Sequence, residues 1–244
     1  MCGRYVNVAS DSDLVAEFDV DDVVDDDPGP SWNVAPTDPV RVIVQQAPRG
    51  AAPPESVRAL RTARWGLVPS WSRDRKGGAR MINARIESVT EKRAFKAAAA
   101  RRRCLVPALG YYEWQKTGKG KIPHFLHDPD GRLLAMAGLY EFWRDPTLPD
   151  QDPNRWLLSC TIITQQAGDL VGEIHDRNPV VIPPVLRDAW LDCSGDDPAA
   201  AARLLDRIPE ARLLPDVVSK AVGNVKNNGP ELIEPVEAAR ILDP

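Results

Sequence analysis

Histidine is scarce in this 244-residue chain, with three in all, and its four cysteines, Cys2, Cys104, Cys160 and Cys193, form no C-x-x-C pair. That spacing argues against a disulfide framework or a structural zinc centre and points to a reducing interior. No apolar run approaches the ~20 residues that a membrane span needs, and no basic-then-apolar leader opens the sequence. A cytoplasmic protein with no membrane association, no metal and no other cofactor is expected. Internal repeats and linker-like breaks in composition are also missing. The acidic stretch Asp19 to Asp27 lacks the regular oxygen spacing of a calcium loop, so it reads as an exposed loop.

What remains is an ordinary globular composition, 43% hydrophobic and 27% charged, long enough to bury a substantial core. The net charge of −4 is unevenly spread. Residues 57 to 132 hold 18 Lys+Arg against 6 Asp+Glu, and the rest of the chain holds 13 against 29. A basic middle third is the footprint of a phosphate-binding face, or else a solvated surface whose counter-charges folding brings close.

Strand patterns dominate the order of elements. Extended segments are expected at Tyr5–Val8, Val40–Val44, 63–69, Cys104–Gln115, Pro123–His127, Leu133–Trp143, Trp156–Gln165, Val180–Ile182 and near Val217. Ser10 or Ser12 can cap a helix over Asp13–Phe18, and Thr90 a longer one reaching Arg103. Short helices are expected over Gly168–Ile174, Val185–Leu191 and Pro198–Arg207. Ala47 to Pro54 reads as a hairpin loop. Many consecutive strands with few helices predict one α+β domain over residues 1–236, with 237–244 as a C-terminal tail. Its antiparallel sheets would form an open barrel-like core flanked by helices.

The chemistry concentrates at the N-terminus. Trimming Met1 before a small residue would leave Cys2 with a free α-amine beside its thiol, and the unperturbed pKa values, ~8 and ~8.5, give both some nucleophilic fraction near neutrality. Such a 1,2-aminothiol can condense with an aldehyde and close a thiazolidine ring, or attack an amide with the amine as base. His124 and His127 lie three apart on a strand and point to opposite faces, which suits packing better than a shared metal. His175 stands at an element boundary between an acid that could fix its tautomer and an arginine that could hold an anion. Glu113, set in Tyr111-Tyr112-Glu113-Trp114, is a general acid if buried and a plain outward residue if not.

Seven segments, in order, resemble the motifs of the SOS-response-associated peptidase family: Met1-Cys2-Gly3-Arg4-Tyr5, Trp32 to Pro36, Trp65 to Pro69, Ile82 to Glu87, Gly110 to Trp114, Ile174 to Arg177 and Val222 to Asn227. The resemblance runs from residue 2 to about 236. It implies a sensor of abasic sites in single-stranded DNA that shields them through a covalent thiazolidine crosslink on Cys2, with a possible self-processing of the N-terminus. By the same resemblance Asn83 orients the terminal residue, Glu113 handles protons at the amine and carbinolamine, and His175 helps open the sugar ring. Arg4, Asn33, Pro36, Trp71, Arg85 and Arg177 match positions around the family's DNA groove, where they would clamp phosphates and stack bases. A monomer is expected, nucleoid-associated through its DNA. Asn178 departs from the basic or methionine residue of similar sequences, and the Asp19–Asp27 run is expected away from the groove.

Two other readings stay open on the residues. An N-terminal-nucleophile glutamine amidohydrolase also exposes a Cys-Gly end, but it needs a glutamine pocket and an ammonia-accepting partner domain. A non-covalent single-stranded-DNA-binding module uses the basic face and leaves Cys2, Glu113 and His175 without a task.

Overall fold

The computed structural model describes residues 2–46, 56–195 and 197–237. Among the described residues thirteen strands follow one another: β1 (Tyr5–Asn7), β2 (Asp22–Val23), β3 (Ser31–Val34), β4 (Pro39–Gln46), β5 (Val57–Trp65), β6 (Asn83–Arg85), β7 (Arg103–Ala108), β8 (Gly110–Thr117), β9 (Gly120–His127), β10 (Leu134–Arg144), β11 (Trp156–Gln166), β12 (Arg177–Pro179) and β13 (Leu214–Val217). Five short α-helices accompany them: α1 (Asp11–Phe18), α2 (Lys96–Arg101), α3 (Asp169–Gly172), α4 (Arg187–Leu191) and α5 (Pro198–Leu205). The expected loop Ala47 to Pro54 and the tail from residue 238 lie outside the described residues.

Two sheets share the work. The smaller runs β13-β9-β8-β1-β3, and the larger runs β12-β11-β10-β7-β4-β5-β2 with β6 added beside β11. In the larger sheet β5 also pairs β11 in parallel, which closes β11-β10-β7-β4-β5 into a ring. The α+β architecture with a barrel-like core is therefore present, and the barrel is closed rather than open. Its seam is short, with only Ser159↔Arg64 and Cys160↔Trp65 in register. Not all pairing is antiparallel: β6 on β11 and β2 on β5 are also parallel.

Strand alternation sorts the cores. On β4, Val40, Val42 and Val44 point into the barrel with Trp65, Val106, Met136, Ile162 and Cys2. Ile43, one residue out of phase, joins a second core of Leu14, Phe18, Phe95, Leu139 and Trp190 under the helices. A third small core, Val6, Tyr112, Phe125, Val218, Val222 and Leu232, glues the smaller sheet to the C-terminal segment. Arg103, expected at the end of the helix from Thr90, instead opens β7 and is buried, with its guanidinium donating to the carbonyls of Trp190, Ala99 and Asp192.

Several element boundaries differ from those read in the sequence. The helix expected from Thr90 to Arg103 is confined to α2, because Thr90 makes no cap and the chain turns through Lys92–Ser88 and Phe95–Lys92 hydrogen bonds to bury Val89 and Phe95. The single strand expected over Cys104–Gln115 is two strands in two sheets. Leu109, whose N–H donates to the Val6 carbonyl at 2.8 Å, carries the chain from one to the other. Gly110 permits this crossing, since a Cβ there would meet the Phe125 ring at 2.5 Å. The strand expected at 63–69 runs over Val57–Trp65 and stops at Gly66, whose φ of +127° suits glycine alone. The strand expected over Val180–Ile182 is shifted to Arg177–Pro179.

Candidate functional site

β1 brings the N-terminal end into the smaller sheet, between β8 and β3. It pairs β8 with Tyr5 opposite Tyr111, and the Tyr112 N–H donates to the Arg4 carbonyl at 2.9 Å. Continued backwards, that antiparallel register carries Cys2 past Glu113. Alternation on β8 puts Glu113 on the same face as Tyr111, which shares the barrel-side core with Cys2, while Tyr112 faces the other way. Cys2 is wholly buried.

A second element grips the same residue. β6 lies against β11 with Asn83 opposite Ile162, and from there the Asn83 side-chain N–H donates to the Cys2 carbonyl at 2.7 Å. The Trp65 indole fixes the approach by donating to the Ile82 carbonyl at 3.0 Å, and its ring packs edge-on against Tyr5 at 5.2 Å.

Burial sets the proton affinities. Glu113 is 2% exposed, and desolvation, reinforced by the Asp176 charge, pushes its carboxyl up to about 7. Burial, then the Glu113 charge, raises the Cys2 thiol well above the usual cysteine range. The partly ionised thiol expected from an unperturbed cysteine is therefore not what the fold provides; it holds a thiol that needs a base. His175 lies with Nε2 4.0 Å from Glu113 Oε2, and burial lowers its pKa, so the neutral ring is favoured. The Arg177 backbone N–H donates to His175 Nδ1 at 3.0 Å.

The structure brings Cys2, Asn83, Glu113 and His175 together from four separate stretches of chain. The six residues expected around a DNA groove fall into two groups. Trp71 is 52% exposed, with the Arg93 guanidinium 4.5 Å from its ring centroid, and Arg85 is exposed on β6. Pro36 is half-buried in a turn pinned by the Thr37 N–H on the Trp65 carbonyl. Asn33, by contrast, is buried. Its amide donates to the carbonyls of Val222, Asn224 and Asn227, and its oxygen accepts from Arg4 Nη1 at 2.7 Å. Arg4 also donates to Val222 and sits 6.0 Å from the Trp114 ring centroid. Arg177 holds Glu87 through both guanidinium nitrogens, at 2.6 and 3.1 Å.

Folding also sorts the basic middle third. Arg58 pairs Asp188 and Asp19, and Arg61 pairs Asp25, so part of the acidic run serves as counter-charge to β5. From Arg73 to Lys96, in contrast, no basic residue makes a close ion pair among the described residues, and only the charges of Arg75 and Arg85 reach an acid, Asp145 and Glu87 respectively. That stretch contains Arg85, exposed on β6, and Arg93, which lies over the Trp71 ring. Asn178 is buried and donates to Glu210 at 2.7 Å. Glu87, Arg93 and Thr164 were not singled out in the sequence. Only Glu87 had a signal, its place in the run Ile82 to Glu87, because its partner lies 90 residues away.

The chain is similar to known proteins over nearly its whole length. The model of the SOS response associated peptidase (SRAP) family matches residues 1–225. The abasic site processing protein YoqW of Bacillus subtilis is 36% identical over 236 residues, covering 96% of this chain and 99% of that one. The abasic site processing protein YedK of Escherichia coli is 32% identical, covering 97% and 100%. A crystal structure of a Bacteroides thetaiotaomicron protein superposes with a TM-score of 0.76 at 21% identity, covering 97% of this chain and 100% of that one, which supports the fold. Among the described residues no helix is long and apolar enough to cross a membrane.

Proposed function

The chain belongs to the SOS response associated peptidase family, and on that footing we propose that it processes abasic sites in single-stranded DNA by forming a covalent thiazolidine crosslink through Cys2. The observation that carries the reading is the Asn83 hydrogen bond to the Cys2 carbonyl. It holds residue 2, and with it the α-amine that loss of Met1 would free, near the Glu113 carboxyl, whose pKa burial raises to about 7.

The steps follow from those groups. An abasic deoxyribose in its open form is an aldehyde: His175, in its protonated form, gives a proton to the ring oxygen, the Glu113 carboxylate takes the proton of the anomeric hydroxyl, and solvent reprotonates the histidine. The Cys2 amine adds to the aldehyde carbon, forming a C–N bond and a carbinolamine. Glu113, protonated, donates to the departing hydroxyl, water leaves, and an iminium remains. The thiol then adds to the iminium carbon while its proton passes to the Glu113 carboxylate, which regenerates the acid and closes the ring. One water is lost overall. A general acid–base group works best with a pKa near the operating pH, and the raised Glu113 value places it there. The unpaired basic stretch from Arg73 to Lys96, with Trp71 beside Arg93, supplies phosphate attraction and a stacking surface for the strand.

The test is a denaturing gel of the protein incubated with uracil-containing single-stranded DNA, with and without uracil glycosylase. A shifted band only after glycosylase, absent from Cys2→Ala, is expected. No shift in the wild type, or an equal shift in Cys2→Ala, overturns the reading. Intact mass separately shows whether Met1 is gone.

A further inference from the structure

The parallel seam of the barrel ends early, and a cavity lies beside it. β5 and β11 pair only at Ser159↔Arg64 and Cys160↔Trp65. Pairing stops there, and between residues 61–64 of β5 and 156–158 of β11 opens a cavity of about 590 Å³. Thr37 and Pro39, from the turn that carries Pro36, line one side of it, and Arg75, from the loop that carries Trp71, lines another. We propose that this seam cavity is a second DNA subsite: Arg64 and Arg75 hold a backbone phosphate of the strand that flanks the abasic site, and Trp156 stacks the neighbouring base.

Local structure aims these groups. Ala63 and Trp65 belong to the barrel core, so by alternation Arg64, between them, points outward. Its guanidinium lies against the backbone crossing of Gly66 and Gly78 and donates to the Gly66 carbonyl at 3.4 Å. Half-buried there, Arg64 makes no ion pair among the described residues, and burial, then the Arg75 charge, works against its cation. Two guanidiniums that share a cavity and repel one another form the arrangement a phosphate bridges. A cation leaving water needs an opposite charge, and arginine meets phosphate with two parallel donors. The acids nearby are engaged. Asp25, also on the cavity wall, accepts from Arg61 and from the Thr62 N–H, and Asp145, which the Arg75 charge reaches, accepts from Thr147. Trp156 supplies the apolar half. At 59% exposure it is more open than Trp71, and an aromatic face in water stacks any base.

The occupant follows from what the cavity adjoins. The inference rests on the proposed function: a strand seated on Cys2 passes Pro36 and Trp71, and the segments that carry those two residues are the ones that deliver Thr37 and Arg75 to the cavity. The Pro36 turn is held stiffly. Thr37 has a φ of +80°, a strained value for a β-branched residue. It is kept there by its N–H on the Trp65 carbonyl at 2.8 Å and by the Asp38 N–H on the Ala35 carbonyl at 3.1 Å. A cavity of this volume takes one small organic group, here a single nucleotide. A bare anion would need the arginines alone. The tryptophan at the same opening selects a phosphate that carries a base.

The experiment is fluorescence anisotropy of the full-length protein with single strands that carry a tetrahydrofuran abasic analogue, which has no aldehyde and cannot crosslink. A short strand ends a few nucleotides from the analogue on both sides, and two longer strands extend the 5′ or the 3′ side. The wild type is expected to bind at least one longer strand about tenfold more tightly than the short one, the scale of one stacked base. The side that gains gives the polarity of the strand. In Trp156→Ala and in Arg75→Ala that long-to-short ratio falls toward unity. In Arg75→Ala the salt slope of log K on the longer strand also drops by about 0.7, the value for one phosphate. Each ratio is taken within one variant, so a loss of folded protein cancels. No gain on either side in the wild type, or an unchanged ratio in Trp156→Ala or Arg75→Ala, overturns the proposal. Crosslinking plays no part in the measurement, so a wild type that fails to crosslink natural abasic DNA counts against the proposed function alone.

Discussion

The Asn83 side chain donates to the carbonyl oxygen of Cys2 at 2.7 Å, a bond spanning 81 residues of sequence. It ties the start of β1 to the barrel wall, because Asn83 is itself registered on β11. Replacing Asn83 with Ala removes the tether and leaves the exposed cations, Arg85 among them, in place. Crosslink formation should fall about 100-fold, the cost of misplacing a reacting group by about 1 Å, with affinity for intact single-stranded DNA unchanged. Parallel gel kinetics and fluorescence anisotropy check both halves.

Glu113 predicts a pH dependence of stability whose sign can be worked out. Its folded-state pKa of about 7 lies above the value near 4.5 of an unperturbed glutamate, so the folded state binds this proton more tightly than the unfolded state. The stabilising contribution is complete below about pH 4.5 and is lost as pH rises through about 7. The change is on the order of 3 kcal/mol at most. Urea titrations across that window should show a downward slope in the wild type that Glu113→Gln flattens, while Glu113→Gln also slows crosslinking.

Asn33 predicts a structural loss more than a binding loss. Its amide serves three loop carbonyls and its oxygen holds Arg4. Asn33→Ala strands those partners and should cost about 1–3 kcal/mol of stability by urea denaturation. Arg4 then keeps only its hydrogen bond to the Val222 carbonyl, so DNA affinity should drop in the same variant.

Trp71 and Arg85 separate stacking from charge. Trp71→Ala should weaken single-stranded DNA binding by about 1–3 kcal/mol. It should hardly change stability, since half the side chain is already in water. Arg85→Ala should lower the salt slope of log K by about 0.7, the value for one phosphate on a single strand. Anisotropy titrations at several salt concentrations distinguish the two.

How much of this was legible beforehand follows from range. Ser10 capping α1 was readable because the cap and its Asp13 partner are local, and both hydrogen bonds of the box are present. The strands of the barrel were readable from β-branched runs. The split of Cys104–Gln115 was not, because the chain stays extended while changing sheets and only the contact of Leu109 with Val6 reveals it. Likewise Cys2, Asn83, Glu113 and His175 could be named from motifs, but the raised Glu113 value depends on burial that no local pattern records. Arg177 read as an open phosphate clamp. Its bond to Glu87 is a contact between distant loops, invisible to spacing.

Cys2 is part of the barrel-interior core, together with Trp65, Met136 and Ile162. The reactive end is therefore inseparable from the cooperative unit that melts. No partly unfolded state can keep the barrel while releasing residue 2 without exposing core surface, so loss of crosslinking on heating should track loss of the whole fold. For a variant changed away from the site, a crosslinking assay should therefore double as a report on how much of the protein is folded.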